Sequence, residues 1–373
     1  MDKERVFGLD LMRACAILLV VFAHSSLYLG RVYPGADRVF GLAGYAGVEL
    51  FFVLSGFLIG GIILRLLDNR ASGESPGSSW LRLFWLRRWF RTLPNYFLFL
   101  AIHYLLWSWM NWRMEPIALY AVFLQTFEAG GQAFFPVSWS LAIEEWFYLL
   151  FPFALWLSLR LWPTVDERLM ERCLATIMGL LLIFIAIRYA LVIINDPDWS
   201  SGVRLRLVTR LDAPMYGVLA AYIARHHPRE WLAYRWHALV VGLGLFALGT
   251  HMYFSGASIG ESFAMKTLFF SLMSVAFACW LPAMAAWRSG SAALGSPLAS
   301  AITLISLWSY SLYLCHDVIR RLVFVFAVRT GVRADLLELH LLTAAYMLLS
   351  IGVAAMVYKY FEHPMTRLRE RFS

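Results

Sequence analysis

Apolar stretches long enough to cross a bilayer recur ten times along the 373-residue chain, near residues 9–29, 45–66, 94–112, 138–160, 173–194, 209–226, 237–254, 262–287, 299–319 and 336–358. A helix rising about 1.5 Å per residue needs about 20 such residues to span the hydrocarbon layer. Lipid offers no hydrogen bonds, so each run must satisfy its own backbone, and runs of this length do so as helices. The reading is an all-α polytopic membrane protein of about ten transmembrane helices, one integral-membrane domain over residues 1–373. Composition agrees: 61% of residues are hydrophobic and 15% charged, against about 25% charged in soluble domains. The first run exceeds the apolar core of a signal peptide, about 7–15 residues, and is read as a retained helix. The shorter run Pro116–Phe127 reads as a re-entrant or interfacial helix.

The net charge of +8 and pI near 9.4 do not point to nucleic acid, because the arginines gather at the ends of apolar runs. That placement follows the positive-inside rule. Arg65, Arg70, Arg82, Arg87, Arg88 and Arg91 follow the second run; Arg160, Arg168 and Arg172 the fourth; Arg225, Arg229 and Arg235 the sixth; and Arg367, Arg369 and Arg371 lie in the tail. Both termini are therefore predicted to be cytoplasmic. Arg204, Arg206, Arg320, Arg321, Arg329 and Arg333 break the pattern, which implies either an anionic ligand at the outer face or a local miscount of spans. The polar stretch 69–79 reads as a flexible loop. Cys15, Cys173, Cys279 and Cys315 all fall in apolar segments with no metal-ligand spacing, which suggests neither a disulfide framework nor a metal site.

Ionisable residues inside such runs are costly and mark function by default. Arg13 and His24 lie eleven positions apart in the first run, roughly three turns plus about 20°, so they share a helix face about 16 Å apart. That distance excludes direct contact of their head groups. Glu49, in the second run, needs a cationic partner such as Arg13. Gly56 and Gly60 form a small-xxx-small pair that admits a close neighbouring helix, with Ser55 able to bond across it. Arg88 and Arg91 sit in a basic, aromatic segment that suits a membrane-flanking belt, but at i, i+3 they also share a face and suit a phosphate clamp. Ser140, Glu144 and Tyr148 recur every fourth residue along one side of the fourth run, and Glu145 projects about 100° away. Ser309, Tyr313 and His316 share a face late in the chain, with Asp317 at what reads as a helix end.

In this order the segments resemble the membrane-bound acyltransferase-3 family. The matching pieces are Arg13 and His24 with the ten residues between them, Gly47-Val-Glu-Leu-Phe-Phe-Val-Leu-Ser-Gly-Phe57, Arg88-x-x-Arg91 before Leu-Pro, Trp139-Ser-Leu-Ala-Ile-Glu-Glu-Trp-Phe-Tyr148, Tyr310-Ser-Leu-Tyr-Leu-Cys-His316 and Phe361-Glu-His-Pro364. Trp146 departs from the polar residue many members carry there. The resemblance implies a bundle of about ten helices around a polar cavity reaching the cytoplasm, in a bacterial inner membrane, in a stand-alone form without an appended soluble domain. It further implies transfer of an acetyl or other short acyl group from acyl-coenzyme A, expected to be acetyl-CoA, to a hydroxyl of a cell-surface or exported glycan. No permanently bound cofactor is implied. The expected partners are the lipid bilayer, acyl-CoA and a glycan or lipid-linked sugar.

The same resemblance makes His24 the catalytic residue, with Arg13, Arg88 and Arg91 at the donor site. Glu144 is expected to join the catalysis, and Glu144 or Glu49 to orient the His24 ring. Glu49, Ser55, Ser140, Glu145, Tyr310, Tyr313 and His316 are expected to contact the substrates or support the site. Acyl transfer needs a base for the acceptor hydroxyl and positive charge or donors for the oxyanion; an imidazole with an ordinary pKa of about 6.5 suits the first task. His24 acts in this reading as general base or, alternatively, carries the acyl group covalently. The rival class is a proton-coupled transporter in which His24, Glu49, Glu144 and His316 form a relay. The inverted repeats and broken helix pairs that mark such transporters are not evident in the chain.

Overall fold

A computed structural model describes residues 5–30, 32, 33, 35–71, 80–112, 115–127, 134–161, 168–255, 260, 262–288, 296–331 and 335–368. Among them every long element is helical and no strand occurs. The long helices are α1 (Phe7–His24), α2 (Asp37–Ala71), α3 (Trp80–Trp109), α4 (Ser138–Leu161), α5 (Leu169–Asn195), α6 (Asp212–His226), α7 (Arg235–Ser255), α8 (Leu268–Ala286), α9 (Pro297–Arg329) and α10 (Leu336–Val357). Each coincides with one of the ten apolar runs. Eight are long and apolar enough to cross a membrane among the described residues. The remaining two are α3, whose first three turns carry Arg82, Arg87, Arg88 and Arg91, and α6, which has only 15 residues.

Several helices outrun the apolar stretches that announced them. The second extends from Asp37 to Ala71, so the start of the expected 69–79 loop is helix and positions 72–79 lie outside the described residues. Pro116–Phe127 forms only the five-residue helix Ile117–Ala121 followed by turns. At the other end of the scale, α9 runs unbroken for 33 residues. Asp317 therefore lies inside a helix and does not end one. Ser296 caps α9 by accepting from the Ala299 N–H at 3.2 Å, and Pro297 opens it where no backbone donor is required.

Packing is closest where small residues let backbones meet, since lipid supplies no hydrophobic drive between helices. A methyl group on Gly56 would strike the Pro214 carbonyl of α6, and one on Gly217 would strike the Val53 carbonyl of α2. The Gly56/Gly60 pair thus does what its spacing suggests, with Val218 and Ala221 opposite Gly60. Around this contact α1, α2, α3, α4 and α9 converge on the polar interior. The N-terminal end of α1 is tied down by Asp10, which accepts from Arg5 at 2.8 Å and from Ser306 of α9 at 2.7 Å.

Candidate functional site

A cavity of about 890 Å3, its open mouth included, lies between α1, α2, α3, α4 and α9. Arg13, Ser55, Arg88, Arg91, Ser140, Glu144, Tyr310 and Tyr313 all line it, with apolar walls from Phe51, Leu58 and Ile62. Eight of the twelve residues singled out in the sequence therefore meet at one place. Arg88 and Arg91 enter from one face of α3, as their spacing requires. Arg13 enters from α1, and neither it nor Arg91 has a hydrogen bond or ion pair among the described residues.

The wall opposite these cations is organised by Tyr148, which the i, i+4 pattern placed behind Ser140 and Glu144. Its hydroxyl donates to Glu144 Oε2 at 3.0 Å. Having one proton, it must accept from its other two neighbours, Ser55 and Arg88. The Arg88 guanidinium also lies 4.0 Å from the Tyr148 ring centre, and Trp85 donates to the Tyr148 carbonyl at 3.0 Å. Glu144 is thus held by Tyr148, which also joins it to Arg88 of the cavity wall. Glu145 does not line the cavity; its Oε2 is buried with no hydrogen-bond partner among the described residues. Trp146, the departure from the family pattern, donates to the Phe123 carbonyl at 2.9 Å and so anchors the turn after Ile117–Ala121.

At its inner end the cavity is closed by Tyr313, whose hydroxyl donates to the Val137 carbonyl at 3.1 Å and accepts from Ser140 at 2.5 Å. Tyr310, one turn earlier, donates to the Thr92 carbonyl at 2.8 Å. Beyond Tyr313 lie two imidazoles. The His316 ring is centred 5.8 Å from Tyr313 and 4.7 Å from His24, edge to face. His24 Nδ1 is 2.8 Å from the Val20 carbonyl and His316 Nδ1 is 3.1 Å from the Leu312 carbonyl. A carbonyl only accepts, so both Nδ1 atoms carry a proton, and in the neutral rings Nε2 is the basic atom. His316 Nε2 is buried with no hydrogen-bond partner among the described residues.

Behind the imidazoles, Asp317 accepts from Arg320 at 2.5 Å and from Arg321 at 2.7 Å, with His103 Nε2 3.6 Å away. This cluster accounts for Arg320 and Arg321, two breaches of the charge rule. Arg329 stacks over Trp109 at 4.9 Å, and Arg333 lies outside the described residues. From the sequence Asp317 reads as a helix end and His103 is not singled out, although Arg320 and Arg321 stand at the i+3 and i+4 positions that bind an acid on a helix.

Two expectations need correction. Glu49 is not paired with Arg13: it is 1% exposed, bonded to Arg210 and Ser274, and closed off from the cavity. Neither Glu49 nor Glu144 orients the His24 ring, whose Nδ1 partner is its own helix backbone. The physical reason is local, for a carbonyl four residues back lies within reach of any helical histidine. A second closed pair, Arg188 and Asp212 at 2.6 Å, is also fully buried.

A bundle of apolar helices around a cationic cavity, with two imidazoles packed together beyond Tyr313, defines a class: integral membrane proteins with a polar site inside the helical bundle. The particular family follows from comparison. Residues 6–359 match the acyltransferase domain of the acyltransferase-3 type, and the chain belongs to that family. It is 29% identical over 233 residues to a Staphylococcus aureus protein named "Putative O-acetyltransferase", a match covering 58% of this chain and 34% of that protein. It is 29% identical over 167 residues to the peptidoglycan O-acetyltransferase OatA of Listeria monocytogenes, covering 40% of this chain and 24% of the relative. The chain spans about a third or less of the length of these relatives. No solved structure matches it.

Proposed function

We propose that the chain transfers an acetyl or similarly short acyl group from acyl-CoA to a hydroxyl of a cell-surface or exported glycan in a bacterial inner membrane. The observation that carries this reading is the cavity lined by the unpaired cations Arg13 and Arg91, with the imidazoles of His316 and His24 packed next to its Tyr313. Coenzyme A is polyanionic, and guanidinium groups without protein carboxylates suit its phosphates. The relatives named as O-acetyltransferases, one acting on peptidoglycan, support a hydroxyl on a glycan as the acceptor. The donor enters from the face that carries the N-terminus, read as cytoplasmic from the arginine distribution.

In this scheme His24 Nε2 takes the proton of the acceptor hydroxyl, whose oxygen attacks the thioester carbonyl carbon. The tetrahedral oxyanion collapses with cleavage of the C–S bond, and the CoA thiolate recovers the proton from the imidazolium. The Nδ1–H bond to Val20 fixes the reactive tautomer and gives the imidazolium an acceptor for its second proton. Glu144 and Tyr148 hold Arg88 at the wall, and Arg13 and Arg91 bind the donor. The test uses purified protein in nanodiscs, radiolabelled acetyl-CoA and a peptidoglycan-derived oligosaccharide: His24→Ala loses label transfer while remaining monodisperse, and full transfer by that variant sinks the scheme.

A further inference from the structure

Among the described residues, several charged side chains packed between the helices have an opposite charge beside them. Arg188 has Asp212, Arg210 has Glu49, and Arg320 and Arg321 have Asp317. Arg13 and Arg91 lack such partners, and they line the cavity assigned above to the donor. Arg204 also lacks one, yet it does not line that cavity. Its Nε is buried with no hydrogen-bond partner, and no ion pair reaches the side chain among the described residues. The guanidinium instead lies between two indoles, 5.5 Å from the Trp139 ring centre and 6.0 Å from that of Trp199. Trp139 is next in the chain to Ser140, which bonds the Tyr313 hydroxyl at 2.5 Å, so the guanidinium lies beside the Tyr313 closure. Arg206, two residues on, has an unpartnered buried Nε as well. The sequence had already set these two arginines apart as breaches of the charge rule.

The short helix that carries Arg204 is held firmly. Trp199 donates to the Met265 carbonyl at 3.0 Å, and Asp198 caps the Trp199–Arg204 turn by accepting from the Ser200 and Ser201 N–H groups at 3.1 and 2.7 Å. A guanidinium desolvated on one edge and stacked on aromatic faces retains its remaining N–H donors for a planar oxyanion.

We infer that Arg204, with Trp139 and Trp199, forms an acceptor subsite that recognises an anionic group, a carboxylate or phosphate, on the glycan whose hydroxyl is acylated. The inference rests on the acyl-transfer reading for the identity of the ligand as acceptor, while the anion preference of the subsite stands on its own. The acceptor's charge is thereby held beside Tyr313, next to the His24–His316 pair.

Binding is read separately from catalysis by saturation-transfer NMR on the full chain in phosphatidylcholine nanodiscs, with a hyaluronan tetrasaccharide as anionic probe and chitotetraose as neutral probe. Wild type is expected to bind the anionic probe at least tenfold more tightly, and Arg204→Gln to erase that preference while leaving chitotetraose binding unchanged. Arg204→Lys, which keeps the charge but loses the planar fork, is expected to retain an intermediate preference; this variant serves if the glutamine form does not purify. Equal affinity of wild type for both probes, or an unaltered preference in both variants, overturns the inference. A repeat in nanodiscs containing phosphatidylglycerol tests a lipid headgroup as the source of the anion: loss of the probe's binding only in those discs would assign the subsite to lipid and overturn the acceptor assignment. Acetyl-CoA turnover in the same samples separates the two readings, because a wild type that prefers the anionic probe but transfers no acetyl group refutes acyl transfer and spares the anion subsite.

Discussion

Two sets of ionisable residues on the helices of this bundle behave in opposite ways. Glu49 with Arg210 and Ser274, and Arg188 with Asp212, are closed on themselves and 0–1% exposed. Arg13, Arg91 and the His24–His316 pair are left open, either on the cavity or with a basic nitrogen unspent. An intramembrane charge is therefore not in itself a sign of chemistry. What distinguishes the two sets is whether the protein already supplies the counter-charge, and an intramembrane charge without one is a candidate for ligand contact.

The sharpest way to break this contrast is to remove a member of each set and ask which property fails. His24→Ala is expected to lower acyl transfer by about 10^2–10^4-fold, the range of a lost general base, with little change in the melting temperature measured in detergent. Glu49→Gln or Arg210→Met should instead destabilise the fold by about 3–5 kcal/mol, because the remaining partner is left buried and alone. The double variant Glu49→Met/Arg210→Met should recover most of that loss in the same melting assay. Recovery of nothing would show that the pair does more than compensate itself.

Arg13→Gln comes next in size. It is expected to weaken acetyl-CoA binding by about tenfold or more, the worth of one charge-assisted hydrogen bond, without altering the melting temperature. The wild-type affinity should fall as salt is raised, which isothermal titration at two ionic strengths would register. The smallest effect concerns the turn that carries Arg204. The Ser201 N–H, foremost among several donors, holds the Asp198 carboxyl below the usual carboxylate range. A lowered native value means that its stabilisation is complete above the ordinary carboxylate pKa and is lost as the pH falls through the lowered one. Asp198→Ala should therefore narrow the stability difference between neutral and acidic buffer, by a small margin because the side chain is exposed.

Much of this arrangement is legible in the chain because it is local. The helices follow from apolar run length, and the shared faces of Arg13 with His24, of Arg88 with Arg91 and of Ser140 with Glu144 follow from the helical repeat alone. The partner of Glu49 is not legible, because Arg210 lies 161 residues away and only the close α2–α6 contact at Gly56 and Pro214 brings the two together. Tyr148 was visible as the third member of a stripe, but its hub role depends on Arg88 and Ser55 from two other helices. Asp317 was misplaced for a different reason: three charges in five residues look like a boundary until their i+3 and i+4 bonds show that they neutralise one another inside a continuous helix. Sequence thus reports which residues are costly to bury, and only the packing reports which of those costs are already met.

The division between donor-binding and reacting ends is tested most directly by titrating acetyl-CoA into His24→Ala and Arg13→Gln side by side with wild type, with transfer to the glycan measured on the same samples. His24→Ala should bind the donor with wild-type affinity and transfer nothing, whereas Arg13→Gln should bind it about tenfold or more weakly and regain transfer at high donor concentration. Wild-type transfer by His24→Ala, or unchanged donor affinity in Arg13→Gln, would contradict the assignment of these open charges to the two ends of one reaction path.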